Sequence, residues 1–116
     1  MRRAIVLAAV SEGATGLALL VVPSFVGRLL FGEELVGVTI PIARVLGIAL
    51  IALGVACWPP GSPRVGMVTY SATVTVYFFY IGIRGERVGP LLWSAAAIHA
   101  ALTASCVLDL FSRPND

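Results

Sequence analysis

The chain has 116 residues, 59% of them hydrophobic and 12% charged, with a net charge of +2 and a mean hydropathy of +0.97. Soluble domains carry about 25% charged residues, so this composition excludes a water-soluble globule and specifies a membrane domain. The small, scattered positive charge argues against a nucleic-acid surface, and the length allows one domain over 1–116.

A bilayer core of about 30 Å takes roughly 20 helical residues. Four stretches fit, at about 4–22, 38–58, 65–83 and 90–111. The expected fold is therefore all-α, a four-helix transmembrane bundle. The first stretch reads "AIVLAAVSEGATGLALLVV" and carries Glu12 inside its apolar run. The basic start "MRR" resembles that of a signal peptide, but Glu12 interrupts the apolar region and no A-x-A site follows. A retained helix, ended by Pro23, is the expectation. Ala8, Glu12 and Gly16 share one of its stripes.

The connection 23–37, "PSFVGRLLFGEELVG", places Phe25, Val26, Leu29 and Leu30 at helical spacing, opposite Ser24 and Arg28. This pattern predicts a short interfacial helix. The second span carries Arg44, with Gly47 and Gly54 on the same side, and "PPGSPR" (59–64) breaks the chain after it. The third shows Tyr70, Thr73, Tyr77, Tyr80 and Arg84 at spacings of three and four, a polar stripe. The fourth opens with Pro90, which suits a first turn, and aligns Ala95, His99, Thr103 and Cys106. Trp58 and Trp93 lie near predicted helix ends, where indoles favour the interface. Asp109 and Arg113 form an i,i+4 pair at the last end.

Four spans put both termini on one side. Arg2, Arg3, Arg64 and Arg113 lie there, against Arg28, Arg84 and Arg87 opposite. The positive-inside rule then predicts cytoplasmic termini, with Cys57 and Cys106 near the reducing face.

Helix rise places one polar group from each span near the midplane. Measured from the side of the termini, Glu12 lies roughly 12 Å deep, Arg44 roughly 20 Å, Tyr77 roughly 18 Å and His99 roughly 16 Å. A charged side chain facing lipid at a helix centre costs about 2.5–3.5 kcal/mol even on the lenient insertion scale. Inward-facing groups are therefore expected, with Arg44 as the counter-charge of Glu12 and His99 bonded to Tyr77 or to a backbone carbonyl. The pair reads either as a structural tie between helices or as a proton- or ligand-binding carboxylate held by an arginine. The ligand-binding set is Glu12, Arg44, Tyr77, His99, Tyr70 and Trp93, with Glu12 and His99 the candidates for proton exchange. One histidine with no paired ligand predicts neither a metal site nor a haem, and no cofactor is expected.

The stretches "ARVLGIALIALGVACW" and "YFFYIGIRGERVGPLLWSAAAIHAAL" resemble a group of small bacterial four-helix membrane proteins, and the chain is distantly similar to DoxX-like membrane proteins. Arg44, Gly89, Leu91, Leu92, Trp93 and His99 carry the resemblance, which spans most of the chain. It implies the topology and a bacterial inner membrane, and supplies no substrate. Small multidrug resistance transporters also have four helices and a glutamate in the first. Against membership, Arg44 would neutralise Glu12, and the third span lacks the aromatic-glycine pattern of their dimer packing.

Three functional expectations follow. The first is binding or transport of a small molecule or proton at the midplane cluster. It is expected as a homo-oligomer in the lipid bilayer, since one four-helix bundle hardly encloses a continuous pathway. The second is a membrane-embedded acid/base enzyme, isomerase- or cyclase-like, acting on a lipophilic small molecule. The third is a non-catalytic accessory subunit whose polar groups only fix packing.

Overall fold

The computed structural model describes residues 2–85 and 87–112, the side chain of Arg2 excepted. Five helices follow in order: α1 (Arg2–Val21), α2 (Pro23–Phe31), α3 (Thr39–Cys57), α4 (Pro63–Arg84) and α5 (Leu92–Ser112). The described residues contain no strand. α1, α3, α4 and α5 are each long and apolar enough to cross a bilayer. This is an all-α membrane protein, with a short helix between its first two spans.

Local chemistry sets the boundaries. Pro23 cannot donate a backbone hydrogen bond, so it ends α1 and, with φ already helical, opens α2 at its first turn. Ser62 caps α4, its Oγ accepting from the Val65 amide at 3.2 Å. Gly32 and Gly85 close α2 and α4 at φ of 76° and 72°, left-handed conformations that glycine adopts without a Cβ clash. α5 starts later than expected. Pro90 sits in the turn ahead of it, where the Leu92 amide bonds the Gly89 carbonyl at 3.3 Å.

The bundle is open. α1 packs on α3, α3 on α4 and α4 on α5, so the long helices stand in a row with α1 and α5 at its edges. The molecule measures 44 × 35 × 15 Å, a layer one helix thick. Small residues bring α1 and α3 together: a Cβ on Gly16 would lie 2.5 Å from the Gly47 carbonyl oxygen, and one on Gly54 2.8 Å from that of Ala9. Leu19, Val26 and Ala43 form a buried cluster where α1, α2 and α3 meet.

α2 lies beside the ends of α1 and α3. It buries Pro23, Val26 and Gly27 and leaves Phe25, Leu29, Leu30 and Phe31 exposed. The expected apolar face therefore divides, with Val26 turned inward and Phe25, Leu29 and Leu30 outward. Ser24, assigned above to the polar side, instead ties the following loop by donating to the Leu35 carbonyl at 2.7 Å.

Asp109 pairs with Arg64 at the start of α4, Oδ2 to Nε at 3.1 Å. Its expected partner Arg113 lies outside the described residues. On α4, Ser71 is fully buried and its hydroxyl has no hydrogen-bond partner among the described residues. A buried unsatisfied hydroxyl costs stability that an apolar replacement of similar shape recovers. Ser71→Ala is therefore expected to raise stability by on the order of 1 kcal/mol. Thermal unfolding in detergent, followed by circular dichroism, measures it; a loss of similar size would mean that the hydroxyl is engaged.

Candidate functional site

Arg44 lies on the first half of α3, and its Nε donates to the Leu20 carbonyl oxygen at 3.1 Å. The local reason is the end of α1. The last carbonyls of a helix lack intrahelical donors, and Pro23 brings no N–H to replace them. A cation at that end also meets the negative end of the helix dipole. Arg44 thus caps α1 from the neighbouring helix.

This arrangement corrects the expected Glu12–Arg44 pair. The contact of Gly16 with Gly47 fixes the register of α1 on α3 and sets Arg44 level with Leu20. Glu12 then lies about 12 Å farther along the α1 axis. It is half-buried and forms no ion pair with a described residue. Glu12→Gln is accordingly expected to leave stability within about 1 kcal/mol of the parent or to raise it, since a membrane carboxylate without a counter-charge is a cost. A clear fall in unfolding temperature would show that the carboxylate has a partner.

His99 stands on α5, at the other edge of the row. Two intervening helices at 8–10 Å spacing put it roughly 25 Å from α1, so Glu12 and His99 do not meet. Its Nδ1 lies 2.8 Å from the Ala95 carbonyl oxygen. That oxygen only accepts, so Nδ1 carries a proton and donates to it. The imidazole sits edge-on between Tyr70 and Phe78, with centroids 5.9 Å from each. Of the two partners expected for His99, it takes a backbone carbonyl rather than Tyr77. Trp93 packs edge-on against Phe79 at 5.4 Å and covers Gly82, away from the histidine.

Arg44 and Tyr77 do come together. They line a cleft of about 330 Å³ between the first half of α3 and the last half of α4, shared with Tyr80, Arg84 and Arg87. Ile40, Pro41 and Ile81 complete its wall, and no described lining residue is acidic. The Arg84 guanidinium lies 5.6 Å from the centre of the Tyr80 ring, a cation–π distance, and its Nη1 reaches the Tyr80 hydroxyl at 3.4 Å. Arg44 also borders a second cleft, of about 350 Å³, with Ser24 and Arg28 of α2. The polar stripe of α4 therefore splits, Tyr70 turning to α5 and Tyr77 and Tyr80 to α3.

No protein-family model, curated protein or solved structure matches the chain. The chemistry of the cleft is thus the whole basis for a functional reading. A guanidinium carries five N–H donors, and the Leu20 carbonyl engages one of those on Arg44. Two tyrosine hydroxyls and three arginines around one cleft form a donor-rich, positively charged cradle. Such a cradle suits an oxyanion, because arginine matches carboxylate and phosphate oxygens in pairs.

Two of these residues were underweighted in sequence. Arg84 entered as the end of the polar stripe of the third span and Arg87 only in the charge balance between the two sides, neither as a ligand-binding residue. The signal that finds them is the continuation of the Tyr77–Tyr80–Arg84 spacing to the helix end, where Gly85 closes α4 and Arg87 follows in the lining. A third cleft, of about 550 Å³ and mostly apolar, lies at the opposite end of α1 and α3, beside Trp58 and the 58–62 turn. It gathers none of the six expected ligand-binding residues.

Proposed function

We propose that this membrane protein binds a small anionic molecule in the α3–α4 cleft, with Arg44 as the central contact and Tyr77 and Tyr80 as neutral donors. The observation that carries the reading is the lining of that cleft, with arginines from two elements and a loop around one concavity at a helix end. Arg44 is held by Leu20 before any ligand arrives, which reduces the entropy lost when it binds. The reading keeps the binding role expected from sequence and moves the site from the midplane to one membrane face.

The remaining assignments belong to the same proposal. The protein resides in a bacterial inner membrane with cytoplasmic termini, which puts the cleft on the opposite, outward side. An open row encloses no pathway by itself, which supports association of several copies if the bound anion is to be moved. The test is thermal unfolding of the detergent-solubilised chain with n-butyl phosphate, against sodium chloride at matched ionic strength. A ligand that binds only the folded state raises the unfolding temperature. The expected result is a rise with butyl phosphate alone; equal curves in the two salts overturn the proposal.

A further inference from the structure

Resting on that reading, we infer that the α3–α4 cleft takes the phosphate-bearing headgroup of a membrane amphiphile, whose acyl chain lies along the outer face of the helix row. Three features of the fold favour an amphiphile over a soluble anion. The first is depth. About 8 Å of helix rise separates Thr39 from Arg44, and about 10 Å separates Tyr77 from Arg84. Because α3 is about as long as the hydrocarbon core is thick, the cleft floor sits just inside one face of that core, a depth that an amphiphile reaches without leaving the bilayer and a soluble anion does not.

The second feature is openness toward lipid. In a layer 15 Å thick, a groove between neighbouring helices faces the bilayer sideways. A molecule seated between α3 and α4 therefore has acyl chains, and no protein lumen, beside it. The third is the lining itself. Ile40, Pro41 and Ile81 give the cleft an apolar side, while Tyr77 and Tyr80 present both an apolar ring and a hydroxyl. A free phosphate uses only the donors, whereas an amphiphile uses both parts.

Basic pockets between membrane helices recognise anionic headgroups by the same physics. Of the three arginines Arg44 lies deepest and contacts the phosphate oxygens from below, while Arg87, on the loop after α4, meets the headgroup at the rim. A zwitterionic headgroup brings its own cation into this cradle and is disfavoured against a purely anionic one.

The test is native mass spectrometry of the intact chain in detergent, titrated separately with dioleoyl phosphatidylglycerol, dioleoyl phosphatidylcholine and n-butyl phosphate. One tightly held phosphatidylglycerol is expected, with phosphatidylcholine and butyl phosphate each at least about tenfold weaker. Arg87→Gln, on an exposed loop, and Arg44→Gln are each expected to weaken phosphatidylglycerol about tenfold, the worth of one charge-assisted hydrogen bond. The loop variant keeps the test valid should Arg44→Gln fail to fold. If butyl phosphate binds as tightly as phosphatidylglycerol and both depend on the arginines, the amphiphile inference is overturned and the anion site stands. If phosphatidylcholine binds equally well, or if neither variant weakens any probe, the headgroup assignment fails. Loss of the butyl phosphate effect as well removes the anion site with it.

Discussion

Replacing Gly47 with valine is expected to pry α1 from α3 and to lower stability by about 3 kcal/mol, the upper end for overpacking. A Cβ on Gly47 lies 2.5 Å from the Gly16 carbonyl oxygen and 3.0 Å from the Leu20 nitrogen, both backbone atoms. No rotamer change relieves such a clash, so the helices must separate along the stretch that carries the buried cluster of Leu19 and Ala43. Gly13 supplies the control. A Cβ there meets nothing within 4 Å, and Gly13→Ala is expected to gain roughly 0.5–1 kcal/mol from helix propensity alone. Unfolding in detergent, followed by circular dichroism, separates the two variants. If both melt with the parent, α1 does not pack on α3 through this face.

The same substitution reaches the cleft indirectly. Leu20 is the carbonyl partner of Arg44, so moving α1 away releases the guanidinium from the position that aims it between α3 and α4. Gly47→Val is then expected to weaken anion binding without touching a cleft residue. The α1–α3 contact is thus both a close backbone-to-backbone approach and the support of the candidate site.

How much of this was legible in the sequence differs by level. The spans were readable to within two residues at every end, because apolar length and prolines set them locally. The close approach of α1 and α3 was half legible: Gly16, Gly47 and Gly54 stand out as small residues on polar stripes, but their register does not follow from composition. What sequence could not supply was the order of helices across the layer. Depth along each helix is a local quantity, and it drew Glu12, Arg44, Tyr77 and His99 toward one plane. Lateral position depends on which faces pair, and the open row leaves Glu12 and His99 at opposite edges. The partner of Arg44 was missed for a related reason. A search for a counter-charge looks among carboxylates, whereas Pro23 had already left carbonyls exposed at the end of α1.

Arg44→Gln is expected to weaken binding of phosphatidylglycerol and of butyl phosphate by about tenfold while leaving stability close to the parent. Two opposing terms act on stability. The variant loses the bond to Leu20, on the order of 1 kcal/mol, and also removes a charge from the apolar part of the membrane, which returns energy of similar size. Binding has no such offset, because the amide carries no charge to attract the phosphate. Arg44→Lys sharpens the distinction. It keeps the charge but lacks the planar fork that holds Leu20 with one edge and a ligand with the other, so binding is expected to fall between the parent and Arg44→Gln. A purely structural arginine predicts the reverse pattern: both variants melt early, and the surviving folded protein still responds to butyl phosphate as the parent does. Thermal unfolding of the parent and both variants, with and without butyl phosphate, therefore decides whether the cap on α1 is the whole role of Arg44 or the means by which it is held ready for an anion.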